Sequence, residues 1–370
     1  MKKLRTNLII LLLLFTASAL YSQKDYKEIE KSLDRLIDSI RKESKLPGVT
    51  AYIKTPEFTY SAATGLGDIK TDVPRRINDK IRIGSITKTF VATVILQLQD
   101  EGRLSIQDKL SMYYPDYPNS ENITLREMLD MTSGIPDYIM DPGVLNSFVY
   151  DRTHKYTPEE LYEITKKMKP EFPPGKGWEY SNGNYNILGM LIEKLTGRKI
   201  KDEIDARIIK PLGLKNTVFP VTAEMDGQYS HGYFKDTLKK ELTDVTVIDP
   251  SITWAAGCMI SDFDDLEIYV KALVNGTMIS KKSQEERLTY ADTKISFVKY
   301  GLGIFTIDGF IGHNGGITGY NTTMFYNPEL NTTTLVSVNE FNGDNGMADH
   351  IFGELMKTLY PEKNLFNTSK

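Results

Sequence analysis

The chain has 370 residues, 40% of them apolar, and a formal net charge of −4 at pH 7. Its length allows more than one packed region, and its acidity argues against a nucleic-acid partner. The single cysteine, Cys258, excludes an intramolecular disulfide and a cysteine-rich metal site. The four histidines lack the HExxH or HxH spacing of a shared metal ion, so we expect no metal and no other cofactor.

The first 22 residues have the three-part layout of a secretory signal peptide. Lys2, Lys3 and Arg5 precede an uncharged apolar run at residues 8–15, and mostly small residues follow. This run is shorter than the roughly 20 residues that a membrane-spanning helix needs. We expect cleavage after Ser22 and export to the periplasm or the medium, without a membrane or lipid anchor. The mature chain then has 42 basic and 49 acidic residues, a formal charge of −7.

The first part of the mature chain predicts a helix, two strands and a second helix. Residues 26–41 place apolar side chains at helical spacing between charged ones, which is typical of an amphipathic helix. Residues 49–54 and 58–65 are rich in strand-forming residues and predict a strand pair. A buried helix is predicted to begin at Ser85 and to end before Gly102.

The middle of the chain is dominated by helical patterns and long loops. These patterns indicate an α-rich insertion at residues 102–250, with helices predicted at 125–130, 158–168, 184–195 and 200–209.

The last part of the chain returns to strand patterns. Two segments flank Asp308-Gly309, a dipeptide that favours a two-residue hairpin turn of primed geometry. A terminal helix, able to cover one face of the sheet, follows two more strands. The predicted strands are 300–307, 310–314, 322–326 and 333–338, and the predicted helix is 348–359.

These elements predict an α/β (α+β) fold in which an antiparallel sheet is flanked by helices. The sheet region is expected to use both ends of the mature chain, residues 23–101 and 251–370, because strands that share a face can then be covered by the terminal helices. The α-rich region at 102–250 is expected to pack against this sheet within a single domain. A cleft between the two regions is the expected location of a functional site.

The first chemical motif is Gly84-Ser85-Ile86-Thr87-Lys88, which places a serine and a lysine on one helical face. A serine hydroxyl needs a neighbouring base to act as a nucleophile, and a lysine can serve when burial lowers its pKa. A helix N-terminus also favours developing negative charge. Taken alone, the same pattern is typical of a serine that caps a helix, followed by a solvated lysine.

Two further motifs follow in chain order: Tyr180-Ser181-Asn182 before a predicted helix, and His313-Asn314-Gly315-Gly316 at a predicted strand end. With these three motifs, the sequence resembles the serine β-lactamase and D,D-peptidase (penicillin-recognising) superfamily. The resemblance is strongest to its class C-like branch and to D-alanyl-D-alanine carboxypeptidases, and it implies the β-lactamase/transpeptidase-like fold. It spans the mature chain through further motifs: Thr132-Ser133-Gly134-Ile135-Pro136, Pro173-Pro174-Gly175, Leu188-Gly189, Pro211-Leu212-Gly213-Leu214 and Ala255-Ala256-Gly257.

The resemblance implies a role for each motif residue. Ser85 would attack a carbonyl carbon to form an acyl-enzyme, and Lys88 and Tyr180 would be base and proton shuttle, in an order that it leaves open. Asn182 would hydrogen-bond Lys88 and the substrate amide or ester. The backbone N–H groups of Ser85 and Gly316 would form the oxyanion hole.

The third motif has the pattern HxG, with His313 and Gly315 at its ends. His313 therefore stands where the commoner KTG pattern has a lysine. Lysine is a fixed cation for a substrate carboxylate, whereas histidine provides that charge only as the pH falls toward roughly 6.5. This departure favours D,D-peptidase, D-aminopeptidase or esterase activity over β-lactamase activity. The expected substrates are D-amino-acid peptides such as peptidoglycan stems, then small esters. The opposing hypothesis is a catalytically idle wall-binding or sensor protein, which would have no reason to retain all the motif residues.

Overall fold

The structure is a computed structural model that describes residues 26–235, 241–295, 297–343, 346–363 and 365–366. The predicted signal peptide at residues 1–22 lies outside the described residues, so its cleavage stays a prediction. Within the described ranges, we find no helix with the length and apolar character needed to cross a membrane.

A nine-stranded antiparallel sheet forms the middle layer of the described part of the chain, in the order β3-β2-β1-β13-β12-β11-β10-β9-β8, and two small strand pairs, β4-β7 and β5-β6, lie outside it. The strands are β1 (Gly48–Lys54), β2 (Thr59–Asp68), β3 (Val73–Pro74), β4 (Ile81–Arg82), β5 (Tyr233–Lys235), β6 (Leu242–Asp244), β7 (Ile260–Ser261), β8 (Ala291–Asp292), β9 (Val298–Tyr300), β10 (Phe305–Ile307), β11 (Phe310–Ile317), β12 (Tyr320–Asn327) and β13 (Thr332–Val338).

Helices cover both faces of this sheet. They are α1 (Tyr26–Glu43), α2 (Thr87–Asp100), α3 (Leu125–Leu129), α4 (Pro142–Val149), α5 (Pro158–Lys167), α6 (Asn182–Thr196), α7 (Ile200–Ile204), α8 (Lys210–Leu212), α9 (Trp254–Gly257), α10 (Phe263–Asn275), α11 (Lys281–Arg287) and α12 (Met347–Leu359). Short 3₁₀ turns lie at Gly84–Ile86, Leu110–Met112, Tyr138–Met140 and Pro361–Lys363, and α7 continues into a π-helical turn at Asp205–Ile209.

The layers follow from where the apolar side chains lie. The first and last helices, α1 and α12, bury residues such as Leu33 and Phe352 against one face of the sheet. The opposite face packs against α2 and the helical region, where Phe90 and Leu188 are fully buried. The predicted fold class is therefore confirmed, and the large sheet takes its strands from residues 48–74 and 291–338.

Two predicted elements differ from the structure in detail. The predicted strand at 300–307 is interrupted between β9 and β10, because the backbone turns at Gly303, whose φ is 75°. Helix α2 begins at Thr87, so Ser85 lies in the preceding 3₁₀ turn and not at the first position of the α-helix. The hairpin turn is of the primed type as predicted, since Asp308 and Gly309 both have positive φ, 46° and 78°.

Candidate active site

The Ser85 and Lys88 side chains meet at the start of α2. Ser85 is partly exposed, whereas Lys88 is completely buried. Lys88 Nζ lies 3.1 Å from Ser85 Oγ and donates to two carbonyl oxygens, Asn182 Oδ1 and Ala256 O, each at 2.7 Å. Burial lowers the pKa of Lys88 to about 7, although the nearby Asp137 carboxylate acts in the opposite direction. The amine is thus held in contact with the serine hydroxyl and is easily deprotonated.

The YxN segment is held in place by the cap of helix α6. Ser181 accepts a hydrogen bond from Gly183 N at 3.1 Å, and its hydroxyl donates to Pro136 O at 2.9 Å. This cap ties the start of α6 to the Thr132-Ser133-Gly134-Ile135-Pro136 loop. Asn182 at the first helical position therefore points its amide at Lys88.

Asp137 is a member of the site that we did not identify from the sequence, although it directly follows that loop motif. Its carboxylate accepts from Asn182 Nδ2 at 2.9 Å and caps the next 3₁₀ turn through Ile139 N at 3.0 Å. A carboxylate only accepts hydrogen bonds, so it fixes the Asn182 amide with its carbonyl toward Lys88. The pKa of Asp137 is raised overall, because burial outweighs the opposite effects of these donors and of Lys88.

Tyr180 presents a buried hydroxyl to this cluster. In the described part of the chain its hydroxyl has no partner at hydrogen-bond geometry, but the Ser85 side chain is close enough to lower the phenol pKa. Burial outweighs that effect and raises the pKa of Tyr180 strongly. Lys88 Nζ lies 4.7 Å from the ring centroid, and the ring packs edge-on against Tyr300 at 6.2 Å. Its hydroxyl is therefore a protonated phenol beside the serine, and the amine contacts the face of its ring.

Strand β11 lies directly against the turn that carries the serine. A Cβ at Gly315 would lie 1.9 Å from Ile83 O and 3.1 Å from Ser85 N, and a Cβ at Gly84 would lie 2.9 Å from Gly316 N. Gly84 also has a φ of 52°, a conformation that side chains disfavour. The glycines of the first and third motifs thus permit close backbone contact between β11 and the turn that carries Ser85.

His313, expected to provide a pH-dependent charge for a substrate carboxylate, lies outside the lining of the cavity. Its side chain is completely buried and does not line the cavity, because it packs within 4.7 Å of the Phe305 ring and its Nε2 lies 3.1 Å from the Tyr300 hydroxyl. Burial lowers the pKa of His313 to about 3. The ring therefore remains neutral at every pH near neutrality and cannot supply a cation for a substrate carboxylate.

A cavity of about 460 Å³ opens over Ser85. Of the predicted site residues, Ser85, Tyr180, Asn182 and Gly316 line it, whereas Lys88, His313 and Gly315 lie behind its wall. Most of the other lining residues are apolar. Asp137 is the one lining residue, among those that the structure describes, that carries a formal charge, and no described cluster of His, Cys, Asp and Glu could hold a metal ion. This enclosure can bind an uncharged or cationic acyl compound beside the serine.

Comparisons with known proteins identify the family and the fold. The Beta-lactamase family model matches residues 33–353. PbpX of Bacillus subtilis (strain 168), described as penicillin-binding, is 28% identical over 302 residues, which are 80% of this chain and 72% of that protein. The crystal structure of a D-stereospecific amidohydrolase from Streptomyces sp. is 30% identical, has a TM-score of 0.80 and covers 92% of this chain and 99% of its own. D-amino acid amidase from Ochrobactrum anthropi SV3, at 22% identity, TM-score 0.80 and coverage of 90% and 99%, shows the same fold.

Proposed function

The chain belongs to the beta-lactamase family and is a serine hydrolase, and from this premise we propose that it is an exported enzyme that hydrolyses amides of D-amino acids through an acyl-enzyme. The observation that carries the proposal is the contact between the Ser85 hydroxyl and the buried Lys88 amine, beside a cavity whose charged group is the Asp137 carboxylate. Export is supported by the N-terminal sequence pattern.

In the proposed mechanism Lys88 is the base that accepts the serine proton. Two of its three contacts are carbonyl oxygens, which only accept, so a neutral amine can donate both its N–H bonds to Asn182 and Ala256. Its lone pair is then left for the Ser85 hydroxyl proton. As that proton leaves, Ser85 Oγ forms a bond to the substrate carbonyl carbon.

Tyr180 acts in this scheme as a proton shuttle. Its raised pKa keeps the phenol protonated at rest, which argues against a phenolate base. The hydroxyl can pass a proton to the leaving nitrogen, and the protonated Lys88 amine then returns one to the phenol; the Ser85 side chain, which contacts Lys88 Nζ, is the group that acts on the hydroxyl. The backbone N–H groups of Ser85 and Gly316 stabilise the tetrahedral oxyanion, which is typically worth about 10²–10³ in rate for each donor. Collapse of this intermediate breaks the C–N bond. Water then attacks the acyl carbon and gives a proton to the neutral Lys88 amine, and the C–O bond to Ser85 breaks as Ser85 Oγ takes up that proton.

The charge of the cavity favours a substrate with a free amino group. Asp137 is partly exposed to the cavity, and a substrate ammonium ion bound there would gain a charge-assisted hydrogen bond. The preference for the D configuration is supported by the name of the Streptomyces amidohydrolase, which is 30% identical to this chain. A D-aminopeptidase satisfies the same requirements when the leaving peptide carries no carboxylate close to the cleaved bond, and longer peptidoglycan stem fragments are candidates of this kind.

A second candidate is an esterase, because the apolar lining accepts small acyl esters equally well. A D,D-carboxypeptidase or a class C-like β-lactamase is less well supported. Both act on substrates with a carboxylate, and within the described residues that line the cavity there is no cation to bind it. The intact contacts of Ser85, Lys88 and Asn182 argue against an idle wall-binding or sensor protein.

The substrate assignment predicts a strong preference for free D-amino acid amides. We expect kcat/KM for D-phenylalanine amide to exceed that for its N-acetylated form by roughly 10–100-fold, because acetylation removes the charge that Asp137 would bind. The L-amide and nitrocefin should be poor substrates. Release of ammonia and nitrocefin absorbance are the measurements. Equal rates for the free and acetylated amides would exclude the ammonium site, and fast nitrocefin turnover would favour a β-lactamase.

The base assignment predicts a rise of kcat/KM with pH through about 7 for an uncharged p-nitrophenyl ester. Neutral Lys88 is the active form, so activity should be present above its pKa of about 7 and should be lost below it. Asp137→Asn removes a carboxylate that favours the protonated amine, so the rise of kcat/KM should move to lower pH. The pH profile of kcat/KM is measured over pH 5.5–9. If the midpoint of the rise is the same in this variant as in the wild type, the rise reports the titration of a group other than Lys88.

A further inference from the structure

The cavity lining contains a second amide that is hydrogen-bonded to a second carboxylate. Asn314, on β11, lines the cavity, and its Nδ2 donates to both oxygens of Asp349, in the first turn of α12, at 3.1 Å each. A carboxylate only accepts hydrogen bonds, so the Nδ2 side of the amide must face it. The carbonyl Oδ1 is the atom of Asn314 that is left for a bound molecule.

The first turn of α12 is fixed to this strand by a second connection. Asn321 Oδ1 accepts from Ala348 N at 2.7 Å, and Asn321 Nδ2 donates to Gly315 O at 3.4 Å. The carboxylate of Asp349 is therefore held in register with the glycines beside Ser85. Burial raises the pKa of Asp349 to about 6, which leaves it mainly ionised above pH 7.

If Tyr180 gives its proton to the leaving nitrogen, that nitrogen must lie near the Tyr180 hydroxyl. Tyr180 and Asn314 both line the cavity over Ser85. In the proposed function the ammonium ion of the acyl part binds Asp137, so the leaving group is the part of the substrate that remains for Asn314. The leaving group then lies near the Asn314 carbonyl, a hydrogen-bond acceptor whose amide is bonded to the negatively charged Asp349.

We propose that Asp349 is a positioning residue that determines leaving-group specificity by holding the carbonyl of Asn314 toward the cavity. This orientation favours leaving groups that carry N–H donors, such as ammonia or an amine, and it disfavours leaving groups that carry a carboxylate. The inference rests on the proposed function, because it uses the proton path through Tyr180. It deepens that function by adding a second specificity determinant, the Asn314 amide held by Asp349, to the charge of Asp137.

The test uses two esters of the same acyl group, a phenyl ester and a meta-carboxyphenyl ester, which differ by one carboxylate in the leaving group. At pH 7.5 the wild-type ratio of kcat/KM, neutral over charged, should be about 10 or more. Asp349→Asn removes the charge and frees the Asn314 amide to turn, so this ratio should fall about tenfold. Glu354→Gln, an exposed acid on the same helix that pairs with Lys357, should leave the ratio as it is.

A second variant separates orientation from charge. Asn314→Ala removes the carbonyl but keeps the Asp349 carboxylate, so discrimination against the charged ester should persist while the rate for D-phenylalanine amide falls relative to that for the phenyl ester. A merely structural role for Asp349 would lower both ester rates together. An Asp349→Asn protein with native circular dichroism and an unchanged ester ratio would overturn the proposal.

The ester assays also distinguish a failure of the role proposed for Asp349 from a failure of the proposed amidase function. An enzyme that hydrolyses both esters but none of the D-amino acid amides would refute the amidase function, and the ester ratio would still decide the role of Asp349. An enzyme inert to both esters and to every amide would overturn both proposals together.

Discussion

Replacing Ser85 with alanine is expected to lower kcat/KM for every substrate by about 10⁴-fold or more and to abolish covalent labelling by a fluorophosphonate. The expectation follows because the hydroxyl beside Lys88 is the proposed attacking group, and removal of such a nucleophile leaves only binding and oxyanion stabilisation. Mass spectrometry of the digested adduct of the wild type should locate one label, on Ser85. Thermal unfolding should be nearly unchanged, since the side chain is partly exposed.

Ser181→Ala provides the matched control. Ser181 belongs to the second motif, but its hydroxyl is buried and caps α6, where it accepts from Gly183 N. Its loss should reduce the free energy of unfolding by about 1 kcal/mol and leave labelling intact. A label on a different serine, or none with any reagent, would remove the assignment of Ser85 and would favour the idle-protein hypothesis.

Tyr180→Phe is expected to reduce kcat by about 10²–10⁴, because it deletes the proposed proton shuttle. The phenylalanine ring can keep the packing against Tyr300 and His313. The deleted hydroxyl has no hydrogen-bond partner among the described residues, so its removal should not destabilise the fold. A large loss of rate at unchanged thermal stability is therefore the expected result, measured with an ester whose leaving group needs protonation.

Tyr185→Phe is the control for this experiment. Tyr185 is also buried, with Lys88 Nζ 5.7 Å from its ring, but its hydroxyl donates to Leu129 O at 3.1 Å. This variant should lose about 1 kcal/mol of stability and little activity. If Tyr180→Phe retains activity within twofold of the wild type, Tyr180 is structural, and Lys88 must transfer protons without it.

The sequence by itself determined those features that depend on short spacings and on motif order. Helical spacing placed Ser85 and Lys88 one turn apart, and the structure brings Nζ to 3.1 Å from Oγ. The Asp308-Gly309 pair correctly indicated a primed hairpin turn. Three motifs in chain order identified the family and, with it, the fold. The helical spacing and the turn dipeptide are local signals, and the order of the motifs can be read along the chain without knowledge of any contact in space.

Only the tertiary structure decided which of these residues meet each other and how deeply they are buried. His313 is a neutral, buried side chain because aromatic residues on β9 and β10 enclose it, and no pattern around position 313 contains that information. Asp137 and Asp349 orient their amides across 45 and 35 residues of sequence. A pKa and an amide orientation depend on desolvation and on partners in space. Both are therefore set when the sheet and the helical region pack together.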